Sequence, residues 1–153
     1  MAWPADGLEL WAEARRHPGR LILIVDDRGT AAALAGLVGS EPLRVGQALA
    51  KLKKSPTLTE VEQALAGATV LSEIEAILDP GLGLDAVRFL RDHSRRSGGS
   101  VGVWPGQVFG RRATYSQDGR YDRYASDLDD TMVLRSRDVD FPDETPYTVE
   151  RIP

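Results

Sequence analysis

Acidic side chains follow two apolar runs of the chain, and carboxylates in such positions could hold a metal ion. Asp26 and Asp27 come directly after the run LILIV at 21–25, and Glu73 follows the run ATVLS at 68–72. The carboxyl ends of parallel strands meet at the edge of a doubly wound sheet where ligands bind. If the three carboxylates converge there, they form a site for Mg²⁺, which prefers oxygen ligands. The alternative is that Asp27 caps the next helix and Glu73 faces water, since acidic residues at strand ends commonly form caps and turns.

The turn after the first apolar run also stands where a phosphate-binding loop would stand. Residues 26–31 read DDRGTA, so the pattern G-x-x-x-x-G-K-[ST] and its phosphate-binding lysine are missing. Two carboxylates in this turn would repel a triphosphate. An enzymatic alternative keeps weak binding of ATP or ADP with Mg²⁺ through backbone amides at a helix N-terminus, with Glu73 orienting a water molecule. The residues of that nucleotide site would be Asp26, Asp27, Arg28, Gly29, Thr30, Ala31 and Glu73.

Other catalytic chemistry finds little support in the sequence. Cysteine is absent, and His17 and His93 are the two histidines. This composition excludes disulfides and a cysteine nucleophile, and it argues against a histidine-rich metal site. His17 stands at a predicted helix end, where an imidazole complements the helix dipole. We therefore expect no catalytic residue.

The segments that must position these residues alternate between strand and helix patterns. Short apolar runs predict buried strands, and apolar residues at helical spacing predict helices packed on them. The combination predicts an α/β fold with a three-layer, doubly wound, mainly parallel sheet. Thr57 and Glu60 form a capping-box pattern. The predicted elements are a helix at 6–17, a strand at 21–25, a helix at 30–38, an extended segment at 43–45, helices at 46–54 and 58–67, a strand at 69–71, a helix at 84–94 and a strand at 101–104.

The sequence divides into an N-terminal helix at 1–18, an α/β domain at 19–124 and an acidic segment at 125–153. In the last segment, residues 132–134 are an apolar triplet suited to an edge strand, and a proline-rich extended tail follows. We expect the last dozen residues to become ordered on a partner. Deletion of 141–153 is therefore predicted to leave the domain folded.

Composition and charge narrow the class of partner. The chain has 153 residues, of which 42% are hydrophobic, and a net charge of -4, which indicate a soluble globular domain and argue against a general nucleic-acid binder. Segment 88–123 nevertheless has eight arginines against three aspartates. Its part TYSQDGRYDRY, at 114–124, could stack on bases, although a hairpin or an ordered loop with tyrosines packed on the domain edge is favoured. Charged residues interleave the apolar ones at 1–20, so neither a signal peptide nor a membrane contact is expected, and the location is predicted to be cytoplasmic.

The order of segments resembles the BrxF family, small P-loop proteins of bacteriophage-exclusion (BREX) defence systems. The resemblance covers about residues 19–124, and its most specific part is 70–106, where a Walker B-like strand, a DP turn, an LD-x-x-R-x-L helix and a strand ending in WPG follow one another. Family members carry a GKT loop after the first strand, whereas this chain has DDRGTAAAL. The resemblance implies a P-loop NTPase-like fold with a degenerate Walker A loop. It also implies a cytoplasmic regulatory or assembly subunit whose partners are other BREX proteins, with self-association left open.

A second resemblance is to response-regulator receiver domains. Residues 21–38 are similar to the opening of a receiver, where paired acids hold magnesium, and 79–91 are similar to its later loop and helix. The phosphorylatable aspartate is replaced by Ala76, so the resemblance implies a pseudo-receiver that acts through protein contacts. It predicts that the strand at 69–71 lies beside the first strand, whereas many P-loop sheets place another strand between them.

Overall fold

The computed structural model describes residues 3–37, 39–117, 119–136 and 147–153. In these residues the helices are α1 (Trp3–Arg16), α2 (Thr30–Leu37), α3 (Val45–Ala50), α4 (Leu58–Ala64) and α5 (Ala86–Ser97), with short 3₁₀ helices at Ile74–Ala76 and Pro80–Leu82. The strands are β1 (Leu21–Val25), β2 (Leu43–Arg44), β3 (Val70–Ser72), β4 (Val101–Val103), β5 (Gln107–Phe109), β6 (Arg112–Tyr115), β7 (Tyr124–Asp127), β8 (Thr131–Ser136) and β9 (Tyr147–Ile152).

The main sheet has six strands in the order β2-β3-β4-β1-β8-β9. The neighbours from β2 to β8 are parallel, and β9 pairs antiparallel with β8. All five residues of β1 are buried, as its branched apolar sequence predicts for a central parallel strand. The α/β class and the mainly parallel sheet are therefore confirmed.

Two apolar clusters cover the two faces of this sheet. On one face, α1 and α2 pack on β1 and β8 through side chains that include Trp11, Leu34 and Ile24. On the other face, α4, α5 and a second, small sheet pack around Leu23, Leu65 and other apolar residues. The arrangement is compatible with three layers, which enclose the sheet between helices.

The small sheet has three antiparallel strands in the order β5-β6-β7 and lies between β4 and β8 in the chain. Its inner face contributes Val108 and Ala113 to the core. Tyr115 pairs with Tyr124 across β6 and β7, so segment 114–124 closes a hairpin. Tyr124 also packs against Trp104, with ring centroids 5.8 Å apart. Of the two favoured interpretations, the hairpin is thus the correct one, and the packing of tyrosines is confirmed for Tyr115 and Tyr124 but not for Tyr121, which is 84% exposed.

The carboxyl-terminal segment differs from the sequence interpretation. Residues 132–134 do not form an edge strand, because they belong to β8, which is paired on both sides by β1 and β9. The expectation that the last dozen residues order only on a partner is wrong for 147–152, which form β9 with Tyr147 and Ile152 buried. The remainder of that expectation, like the proline-rich extended chain at 137–146, lies outside the described residues.

The sequence predicted a helix cap correctly but placed the end of another helix too late. The capping box is present, with the Thr57 hydroxyl accepting from the Glu60 N–H and the Glu60 carboxylate accepting from the Thr57 N–H. The predicted helix at 46–54 ends early, at Ala50. Among the described helices, none has the length and apolar character to cross a membrane.

Candidate functional site

The chain connections change from one face of the main sheet to the other at the carboxyl ends of β1 and β4. The chain after β1 passes over the face that α1 and α2 cover, whereas the chain after β4 enters the small sheet on the opposite face. Adjacent parallel strands whose connections leave in opposite directions form the crevice in which doubly wound proteins bind ligands. The loop 26–29 follows β1, and Trp104 follows β4 with its backbone N–H bonded to the Ile24 carbonyl at 2.8 Å.

The loop between β1 and α2 is closed by its own side chain. The Asp27 carboxylate accepts a hydrogen bond from the Ala31 N–H at 3.1 Å, in the first turn of α2. A carboxylate in this position satisfies one of the free amides at a helix N-terminus and complements the helix dipole. The interpretation of Asp27 as a helix cap is confirmed. The cap lies where a phosphate group would bind at a phosphate-binding loop.

Ser136, at the end of β8, holds the same loop from the other side. Its hydroxyl accepts a hydrogen bond from the Arg28 N–H at 2.9 Å and lies 2.8 Å from the Thr30 hydroxyl. No sequence pattern selects Ser136, because its contact with the loop depends on the pairing of β8 with β1. Together Asp27 and Ser136 satisfy two of the loop's backbone amides within the chain.

Asp26 and Glu73 share an unusual backbone conformation. Each is the first residue after a buried parallel strand, and their φ angles are 54° and 56°, in the left-handed region. This region costs a residue with a side chain about 1–2 kcal/mol. Such conformations persist where the surrounding structure imposes them. The two acids therefore begin sharp turns at the carboxyl edge of the sheet.

The Glu73 carboxylate forms an ion pair with a basic residue of the neighbouring strand. Its carboxylate lies 2.6 Å from the Arg44 guanidinium, at the end of β2. The strand β4 lies between β3, which precedes Glu73, and β1, which precedes the two aspartates. In the described part of the chain, no group of three or more histidine or acidic side chains converges as a metal site would require. The three-carboxylate cluster expected from Asp26, Asp27 and Glu73 is thus not found.

The two histidines occupy different environments. His93 is buried, and its Nε2 donates a hydrogen bond to the Ala68 carbonyl at 2.8 Å. Burial lowers the pKa of His93, and the positive charge of Arg96 lowers it further, although the hydrogen bond acts in the opposite direction. A buried neutral imidazole held by a backbone carbonyl joins α5 to the segment before β3. His17 is exposed at the end of α1.

The arginines of the small sheet are engaged with groups of the same chain. Arg112 pairs with Asp127 at 3.0 Å, and Arg120 pairs with Asp122 at 3.1 Å. Arg123 donates to the Ser116 carbonyl at 2.8 Å. Much of the positive charge counted in segment 88–123 is therefore compensated locally, and nucleic-acid binding by this segment stays the alternative that is not favoured.

Comparison with known proteins identified no protein similar to this chain. The sequence matches no protein-family profile, and neither curated proteins nor solved structures contain a match to it.

Proposed function

We propose that this chain is a non-catalytic regulatory or assembly component of a bacterial anti-phage system of the BREX type. It would act in the cytoplasm beside other proteins of that system. The observation that carries the proposal is the hydrogen bond from the Ala31 N–H to the Asp27 carboxylate, because it puts a negative charge of the chain itself at the position of a bound phosphate. A nucleotide phosphate would have to displace this carboxylate and would meet its repulsion.

The strand order supports a P-loop-type sheet over the receiver-like alternative. A receiver-like sheet requires β3 beside β1, and here β4 lies between them. The interposed strand agrees with the order found in many P-loop sheets and with the resemblance to the BrxF family. The crevice beyond β1 and β4 is then the equivalent of a nucleotide site, with its loop closed by Asp27 and Ser136.

The environment of Glu73 supports a role without turnover. In a working ATPase the acid after this strand must be free to orient a water molecule or a metal. Here the Glu73 carboxylate is paired with Arg44 at 2.6 Å. Releasing it would require breaking this ion pair, so a binding role fits the geometry better than hydrolysis.

A thermal-shift experiment separates the proposal from residual nucleotide binding. We expect no rise in the melting temperature of the wild-type chain with millimolar Mg-ATP, Mg-ADP or magnesium alone. Asp27→Gly should lower stability by only about 0.3 kcal/mol, since glycine is tolerated at a helix cap, whereas Asp26→Asn should retain the cap. A nucleotide-dependent rise in the wild type would favour the residual ATPase. A rise with magnesium alone, lost in Asp27→Gly but retained in Asp26→Asn, would favour an acidic metal pocket.

A defence assay tests the biological part. Phage plating efficiency is measured in cells that carry a complete BREX system with the gene for this chain deleted and then restored. We expect deletion to reduce protection, and we expect both the wild type and Glu73→Gln to restore it. Loss of protection with Glu73→Gln but not with Arg44→Gln, which breaks the same ion pair, would indicate that the glutamate performs catalysis. Unchanged protection after deletion would contradict a role in defence.

A further inference from the structure

Two adjoining hollows form a groove between α4 and α5. The first has a volume of about 420 Å³, lies beside the first half of α5, and is lined by apolar side chains that include Leu58, Leu84 and Phe89. The second has a volume of about 300 Å³ and lies beside the second half of the helix. Glu62 of α4 and Arg96 of α5 border both hollows. The groove therefore follows α5 over most of its length.

The apolar lining of the first hollow is partly open to water. Phe89 is buried, and Leu84 is partly buried against the core, but Leu58 has 50% of its surface exposed. Leu58 is the first residue of α4, so its side chain stands at one border of the groove. An apolar group that enters the hollow would remove the surface of Leu58 from water, which is favourable. The first hollow thus suits an apolar side chain.

The charged groups around the first hollow differ in whether the chain already engages them. The Asp85 carboxylate accepts hydrogen bonds as the cap of α5, and the Asp92 carboxylate is paired at 3.0 Å with an arginine of the same helix. Arg88 is exposed, and its guanidinium has no hydrogen bond or ion pair with any residue that the structure describes. A guanidinium binds a carboxylate through two parallel hydrogen bonds. The group still available in this hollow therefore selects an anionic partner.

The length of the groove fits a segment of polypeptide. With 12 residues α5 is about 18 Å long, which equals about five or six residues of extended chain. Arg96 stands between the two hollows and is weakly held there. Its guanidinium lies 3.7 Å from the Glu62 carboxylate, beyond hydrogen-bond distance, and 5.8 Å from the centre of the Phe89 ring. A second carboxylate of the same segment can therefore bind at Arg96.

We propose that the groove between α4 and α5 binds an acidic segment of a partner protein. Apolar side chains of the segment enter the hollows, and its carboxylates bind Arg88 and Arg96. A basic segment would place a like charge beside Arg88, which is unfavourable. The groove belongs to α4 and α5, whereas the proposed function rests on the loop at 26–29. This inference therefore goes beyond that function and does not depend on it.

Selection from a display library of random peptides tests the groove without assuming a particular partner. We expect the immobilised wild type to enrich peptides in which a leucine, isoleucine or phenylalanine is flanked by aspartate or glutamate. Arg88→Glu and Leu58→Lys should each weaken the binding of an enriched peptide about tenfold or more, as measured by fluorescence anisotropy. Arg15→Glu is the matched control. It replaces an exposed arginine of α1, on the opposite face of the main sheet, and should bind as the wild type does.

A reversal of charge separates a specific contact from a general loss of affinity. An enriched peptide whose acidic residues are replaced by lysine should bind Arg88→Glu more tightly than it binds the wild type. Circular dichroism melts establish that the variants fold, and the recovered binding shows it independently for Arg88→Glu. Absence of any enriched peptide, or enrichment of peptides without acidic residues, would overturn the proposal. Acidic peptides that bind equally well to Arg88→Glu and Leu58→Lys would overturn it too, because they would bind elsewhere.

Discussion

The hydroxyl group of Tyr124 donates a hydrogen bond to the Asp85 carboxylate at 2.6 Å and accepts one from the Val87 N–H at 3.0 Å. Asp85 is the N-cap of α5, where its carboxylate also accepts from the Arg88 N–H. A tyrosine of β7 thus completes the cap of α5, a helix that packs on the main sheet. The contact fixes the small sheet against α5, next to the packed rings of Trp104 and Tyr124, whose planes are tilted by 54°.

Removal of this hydroxyl should loosen the attachment of the small sheet. We expect Tyr124→Phe to lower the free energy of unfolding by about 1–2 kcal/mol, because the Asp85 carboxylate loses a donor and the Val87 N–H loses its acceptor. Urea denaturation measures the change. Tyr121→Phe is the control, since Tyr121 is 84% exposed and should unfold as the wild type does. Equal stability of the two variants would show that the contact contributes nothing.

The same contact predicts a dependence on alkaline pH. Burial and the hydrogen bond to Asp85 raise the pKa of Tyr124 to about 12 from its ordinary value of 10.0. The folded state therefore favours the neutral phenol, and this stabilisation is present below pH 10 and lost as the pH rises from 10 to about 12. The wild type should lose more stability over this interval than Tyr124→Phe. In an absorbance titration, the wild type should show a tyrosinate signal near pH 12 that Tyr124→Phe lacks.

His93 predicts a dependence on mildly acidic pH. Because burial lowers its pKa below 6.5, the unfolded chain takes up a proton before the folded chain does. Stability should be complete above pH 6.5 and fall as the pH decreases below it, with a slope of at most about 1.4 kcal/mol per pH unit. His93→Gln should remove this slope between pH 7 and 5, since glutamine can donate to the Ala68 carbonyl without titrating. His17→Gln should keep it.

Glu13 affects stability only below the pH interval in which His93 does. The hydrogen bond from Arg151 lowers the pKa of Glu13 below 4.5, against a smaller opposing effect of burial. Its contribution to stability is therefore lost only as the pH falls below about 4.5. A slope between pH 7 and 5 that persists in His93→Gln would assign the effect to another group.

Local patterns in the sequence predicted the elements better than their arrangement. The run LILIV predicted a buried strand, and the spacing of Thr57 and Glu60 predicted a capping box, because both signals depend on neighbouring residues alone. The position of β8 beside β1 could not be predicted in this way. Its apolar triplet is short and is flanked by charged residues, and the pairing joins residues far apart in the chain.

The contacts of the site residues were likewise predictable where they are local in sequence and not where they join distant residues. The cap by Asp27 was one of two interpretations open at the sequence level, and it spans four residues. The pairing of Glu73 with Arg44 joins residues 29 positions apart and depends on the register of β2 with β3. Sequence patterns alone therefore identified the acids at the strand ends but not the basic residue that neutralises one of them.

Gly106 should not tolerate a side chain. A Cβ atom at this position would lie 1.9 Å from the Thr114 carbonyl oxygen, which also accepts a hydrogen bond from the Trp104 indole at 3.0 Å. The backbone of β6 is thus held in place, and we expect Gly106→Ala to lower the free energy of unfolding by about 3 kcal/mol. Gly36 is the matched control. It lies on the exposed side of α2 with open space around it, so Gly36→Ala should raise stability by about 0.5–1 kcal/mol.

Loss of β9 should damage the fold, contrary to the expectation from its polar sequence. Tyr147 and Ile152 are 4% and 7% exposed, and burial of two such side chains contributes about 3–6 kcal/mol. Deletion of 147–153 should therefore lower the melting temperature by about 10 °C or more. It should also promote aggregation, since β8 would become a long apolar edge strand. Ile152→Ala should reproduce part of the loss and Thr148→Ala almost none, because Thr148 is exposed. A truncated chain that melts with the wild type would mean that β8 is held by β1 and the helices alone.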